Sequence, residues 1–104
     1  MGMVENLEKM LENGRDDSML RFGLGSAYFR QKNFSSAVVH LEACLERDSN
    51  YSAAYKLLGK AYLKQGNAVE AVKIFEKGIQ IADRQGDKQS RKEMLVFLGK
   101  IQKN

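Results

Sequence analysis

The chain has 104 residues, 43% of them hydrophobic and 29% charged, with no proline, no tryptophan and a single cysteine. That length gives one domain with a modest core, and no apolar run approaches the roughly 18 residues of a membrane span. Net charge is +4 but divided: residues 1–50 carry 6 basic and 8 acidic side chains, and residues 51–104 carry 11 and 5. A lone cysteine excludes an internal disulfide and fits a reducing compartment. The N-terminus has neither the basic start nor the apolar segment of an export signal. A cytoplasmic setting is therefore expected.

The spacing of apolar residues predicts an all-α chain of six helices, and no stretch has the β-branched alternation of a strand. The first helix covers about 3–13 and stops at Asn13-Gly14. The second covers about 18–31, with Leu24, Ala27 and Tyr28 on one face and Asp16 ahead of it as an N-cap. The third, about 34–47, carries Ala37 and Leu41 inward and His40 pointing outward. The fourth, about 52–65, presents Leu58, Ala61 and Tyr62 on one face, with Asn50 as its N-cap. The fifth, about 68–84, is longer than the third and displaces the sixth, about 88–102. In that last helix Met94, Leu98 and Ile101 form the stripe to be buried, Leu95 lies at its edge, and Phe97 faces away beside Val96.

Internal repetition organises these helices. Residues 18–42 and 52–76, offset by 34, share ten identities in 25 aligned pairs, where composition alone would give one or two. The same offset links Glu8, Leu11 and Glu12 to Glu42, Leu45 and Glu46. Leu98-Gly99 follows Leu58-Gly59 by 40 residues instead, so the period breaks once. Glycine inside a helix costs roughly 1 kcal/mol relative to alanine, so Gly25 and Gly59 need a reason. Both stand beside the apolar face, where they let the following helix approach closely. Ala37 and Ala71 are the small residues expected on that second helix, with Leu41 and Phe75 one turn further along. The pattern is one of antiparallel helix pairs, stacked.

These residues resemble the tetratricopeptide repeat family. The places of its 34-residue unit are held here by Tyr55, Leu58, Gly59, Tyr62, Ala71, Phe75 and Gly78, and by Arg21, Leu24, Gly25, Tyr28, Ala37, Leu41 and Cys44, and the resemblance implies that Cys44 is packed inside. The resemblance implies a short right-handed superhelix: a half-unit over 1–17, units over 18–51 and 52–87, and a terminal helix over 88–104. Leu7, Met10 and Leu11 are similar to a second helix, and Leu95, Leu98 and Gly99 to a first. The chain departs from the pattern at Arg21, where an aromatic is usual, and at Ser49 and Asp83, where proline is usual.

Catalysis is not expected. His40 and Cys44 are the only residues of their kinds, and they cannot complete a zinc site of the usual N/S type without outside ligands. Glu5, Glu8 and Glu12, like Glu42 and Glu46, read as helix-surface carboxylates. No glycine loop is built to cradle phosphate, and neither a cofactor nor a metal is expected.

In such solenoids the first helices of the pairs line a concave groove. The resemblance carries that role to Met19, Phe22, Gly23, Ser26, Phe29 and Arg30, then to Ala53, Lys56, Leu57, Lys60, Leu63 and Lys64. On the last helix it falls on Glu93, Val96, Phe97, Lys100, Lys103 and Asn104. Lys56, Lys60 and Lys64, at i, i+4 and i+8, form a basic stripe, flanked by Phe22 and Phe29 on one side and by Phe97 and Lys100 on the other. Such a face suits a peptide or partner segment with carboxylates between apolar anchors. The carboxylate clamp of some family members is not supported, because its places hold Phe22, Ser26, Leu57, Glu93 and Phe97. Two other readings stand beside peptide binding: nucleic acid on the basic C-terminal half, and a structural role in self-association through the last helix. The first is disfavoured by the small charge excess. A monomer is expected, because Lys100 and Lys103 oppose close two-fold pairing of that helix.

Overall fold

The computed structural model describes residues 2–103. Six helices follow one another: α1 (Met3–Glu12), α2 (Ser18–Arg30), α3 (Phe34–Arg47), α4 (Ser52–Lys64), α5 (Ala68–Gln85) and α6 (Lys88–Lys103). Among the described residues there is no strand, and no helix is long and apolar enough to cross a membrane. Asn104, expected in the groove, lies outside the described residues.

The core runs along the stack from α2 to α6, with at least one fully buried side chain from each of these helices. Leu24, Leu41, Leu58, Phe75, Met94 and Cys44 are fully buried. Burying a side chain of the Leu or Phe class contributes about 2 kcal/mol. The recurrent glycines have their explanation here. A Cβ on Gly25 would lie 2.6 Å from Leu41 Cγ, and one on Gly59 would lie 2.6 Å from Phe75 Cζ. Gly78 makes the reciprocal approach from α5, where a Cβ would stand 2.5 Å from Tyr55 Cβ and 2.6 Å from Met94 Sδ. Both units thus meet at the glycine level, and the second also at the level of Tyr55 and Gly78.

The stripe expected on α6 is partly as drawn. Met94 is fully buried, Leu98 and Ile101 are half-buried, and Leu95 is exposed beside Val96. Phe97 faces the groove beside Val96, and its ring also stacks on Phe75 with centroids 5.7 Å apart.

Two caps differ from expectation. Asp17, not Asp16, caps α2, its carboxylate accepting the Leu20 N–H at 2.8 Å. Asp16 is drawn away by two arginines, Arg21 at 2.8 and 3.0 Å and Arg47 at 2.6 Å. Hydrogen bonding by Arg21, then by Arg47, holds its carboxyl down at about 2. At α4 the cap position falls on Tyr51, which makes no side-chain cap bond, while the Asn50 N–H donates to Asp48. Asn33 and Asn67, equivalent in the repeat, cap α3 and α5 by accepting from Ser36 and Glu70.

His40 is likewise corrected. It is buried, with 9% of its surface exposed, instead of pointing outward. Its ring stacks on Tyr28 at 5.4 Å, and Nδ1 lies 3.0 Å from Arg21 Nη1. A guanidinium only donates, so Nδ1 accepts and the imidazole is neutral, with its proton on Nε2, 3.9 Å from Glu8. The residue 34 positions later is Ile74, which packs against the core. That offset was the sequence signal that His40 belongs inside.

Candidate functional site

The concave face is built by α2, α4 and α6, and Lys60 stands at its centre. Its ammonium lies 5.5 Å from the Phe29 ring centroid on α2 and 5.6 Å from the Phe97 centroid on α6. A cation between two ring faces is held by both quadrupoles, each contact contributing about 0.5–1 kcal/mol at an exposed site. The rings are fixed from behind. Phe29 meets Phe34 edge-on at 5.2 Å, and Phe97 stacks on Phe75. Lys60 is itself half-buried, so its stem is anchored while the ammonium stays at the groove floor.

Around it lies an open hollow of about 490 Å³, lined by Lys56, Lys60, Gln89, Lys92, Glu93, Val96, Phe97 and Lys100. A second hollow of about 470 Å³ continues past Lys60 to Leu63, Lys64 and Phe97. Lys60 and Phe97 border both, so the two form one trough. Its apolar walls alternate with ammonium groups.

The lysine stripe is not uniform. Lys56 Nζ donates to Glu93 Oε1 at 2.5 Å, and Gln89 donates to the other carboxylate oxygen at 2.9 Å. Hydrogen bonds from Lys56, then from Gln89, hold the Glu93 carboxyl below its ordinary value. Lys56 is thus neutralised within the chain, leaving Lys60, Lys64, Lys92 and Lys100 as the cations of the trough.

Of the residues expected in the groove, the structure brings Phe29, Lys56, Lys60, Lys64, Phe97 and Lys100 together, with Leu63, Glu93 and Val96. Phe22, Ser26 and Arg30 stand apart from the two hollows. Phe22 stacks on Tyr51 with centroids 4.9 Å apart and packs against the α3–α4 core. Ser26 is half-buried on α2. Arg30 turns to α1, with Nη2 3.3 Å from Met3 Sδ. Lys92 and Gln89 were not expected. They lie one and two turns before Val96 and Phe97 on α6, so helical spacing from those residues could have found them.

Among the described residues, no three His, Cys, Asp or Glu side chains converge as a metal site requires. Cys44 is free and buried, and burial pushes its thiol up to about 11, so little thiolate forms near neutral pH.

Comparison with known proteins agrees with this architecture. The family model described as tetratricopeptide repeat matches residues 28–88. A TPR repeat-containing protein of Pseudomonas aeruginosa is 48% identical over 99 residues, which cover 95% of this chain and 94% of the relative. A Bordetella parapertussis protein of known solution structure is 40% identical with a TM-score of 0.88, covering 99% of this chain and 90% of its own. The tetratricopeptide repeat domain protein of Salinibacter ruber is 26% identical with a TM-score of 0.77, covering 83% and 96%. With a matched segment spanning more than half its length and a relative identical at nearly every second position, the chain belongs to the tetratricopeptide repeat family.

Proposed function

We propose that this chain is a non-catalytic protein-binding module. Its trough takes an extended or helical segment of another protein that carries carboxylates between apolar side chains. The observation that carries this reading is the Lys60 ammonium held between Phe29 and Phe97. A cation fixed by two rings keeps its charge where a carboxylate can reach it, and the ring edges beside it offer apolar contact. Lys64, Lys92 and Lys100 around the same trough steer an acidic segment toward it. The groove is assembled from one chain, so binding requires no second copy. The free, buried Cys44 fits a cytoplasmic setting.

The test is an immobilised array of short peptides that varies carboxylate and apolar content independently, probed with the whole chain. Retention of peptides that combine both features supports the reading. Retention that follows apolar content alone contradicts it. A single-stranded oligonucleotide at about 50 mM salt is the control, since phosphate-driven binding is strongest at low salt. Tight oligonucleotide binding with no peptide retention would favour the nucleic-acid reading.

A further inference from the structure

The two outermost helices, α1 and α6, each expose the face that a repeat unit normally covers. In the second unit Tyr55 meets Gly78, and in both units a glycine, Gly25 or Gly59, receives Leu41 or Phe75. Carried to the ends by the repeat offset, α1 holds Met3, Leu7 and Met10 where α3 holds Ala37, Leu41 and Cys44. Correspondingly, α6 holds Leu95 and Gly99 where α4 holds Tyr55 and Gly59. Of these, Met3 is 59% exposed, Met10 41% and Leu95 42%, while Leu7 is half-buried with its Cδ1 against Gly23 of α2. Gly99 differs from Gly25 and Gly59 in that a Cβ there would meet nothing within 4 Å.

The net charges of the two helices are opposite. Helix α1 carries Glu5, Glu8 and Glu12 against Lys9, whereas α6 carries five cations against Glu93. The repulsion that opposes pairing α6 with α6 becomes attraction when α6 meets α1.

We infer that α6 of one copy and α1 of the next pair as the first and second helices of a repeat unit, joining copies head to tail. In that unit Leu7 enters the space over Gly99, and Met10 lies against Leu95, at the levels seen inside the chain. The thioethers of Met3 and Met10 adapt to a site that smaller residues fill elsewhere. They exchange their present contacts with Arg30 and Arg15 for this packing. The contact is heterologous, so repetition extends the superhelix and does not close at a dimer. It uses neither Lys60 nor the rings beside it, and the peptide trough stays open.

Sedimentation of the whole chain over a roughly hundredfold concentration range tests this, because association follows mass action. The sedimentation coefficient is expected to climb without a plateau at the dimer, and to climb less as salt is raised. Gly99→Leu fills the receiving space from a position where the free chain has room, and is expected to abolish association without lowering the thermal midpoint. Met10→Lys, at an exposed position, is expected to do the same from the other end by placing a cation against basic α6. Each variant keeps one working face, so an equimolar mixture of the two is expected to give a heterodimer that grows no further. A wild-type chain that stays monomeric throughout, a Gly99→Leu chain that still associates, or a mixture without heterodimer would each overturn the inference.

Discussion

Lys56 and Glu93 are paired across the groove, from α4 to α6, and this pair sets how many cations the trough offers. The two groups are partly exposed, so the pair contributes little to stability. Its larger effect is to mask one ammonium of the stripe. Glu93→Gln is therefore expected to unmask Lys56 and tighten acidic-peptide binding several-fold, leaving the thermal midpoint within about a degree or two. Titration calorimetry with an array-selected peptide measures it. Unchanged or weaker affinity would mean that Lys56 does not face the ligand.

Packing at Gly59 leaves no space for a side chain. Gly59→Leu is expected to force Phe75 from its site and to destabilise the fold by about 1–3 kcal/mol, as overpacked cores do. Thermal denaturation followed by circular dichroism reads this directly. The matching change at Gly99 meets no neighbour and gains helix propensity, so the two variants are expected to move in opposite directions.

Lys32 adopts φ 63°, the only positive φ at a non-glycine residue among those described, and its repeat equivalent is Gly66 at φ 79°. The left-handed region costs a residue with a Cβ about 1 kcal/mol. Lys32→Gly is expected to recover much of that, raising stability in denaturant titration. A loss of stability would show that the lysine stem contributes more than its backbone costs.

Burial, with the Arg21 guanidinium adding to it, holds the His40 imidazole below its ordinary value, while Glu8 acts in the other direction. A folded-state pKa below the unfolded one favours the fold above the unfolded value of about 6.5, and this gain is lost as pH falls below it. His40→Ile, which installs the residue found at the equivalent position 74, is expected to flatten the stability profile between about pH 7 and 5. Thermal midpoints across that range decide it. An equal slope in both proteins would mean that other groups carry the dependence.

Much of the architecture was legible in the sequence because the 34-residue offset makes the chain its own comparison. Leu24 with Leu58, Gly25 with Gly59, and Tyr28 with Tyr62 each mark the same packing place. The offset also explains an identity that spacing alone left open. Tyr28 donates to Glu8 at 3.1 Å and Tyr62 to Glu42 at 2.6 Å, so the recurrent glutamates tie each unit to the next. Where the two units differ, the sequence was harder to read. Arg21 stands in place of Tyr55 and recruits His40, Asp16 and Arg47 into a polar cluster, which buries a histidine and moves a cap by one residue. At the groove, the family's positions, carried onto this sequence, included Phe29, Lys60 and Phe97. The masking of Lys56 and the departure of Arg30 depend on which neighbour each long side chain reaches, and helical periodicity does not encode that.

The central claim is that Lys60, held between Phe29 and Phe97, receives a carboxylate of a partner segment. The direct measurement is the affinity of one array-selected acidic-apolar peptide for the wild type, Lys60→Arg and Lys60→Glu, with helicity checked by circular dichroism. Lys60→Arg keeps a cation able to lie between the rings and is expected to bind within a few-fold of wild type. Lys60→Glu places a like charge against the ligand and is expected to bind at least about tenfold more weakly, or not at all. Equal affinity of Lys60→Glu and wild type for that peptide, with both proteins folded, would contradict the claim.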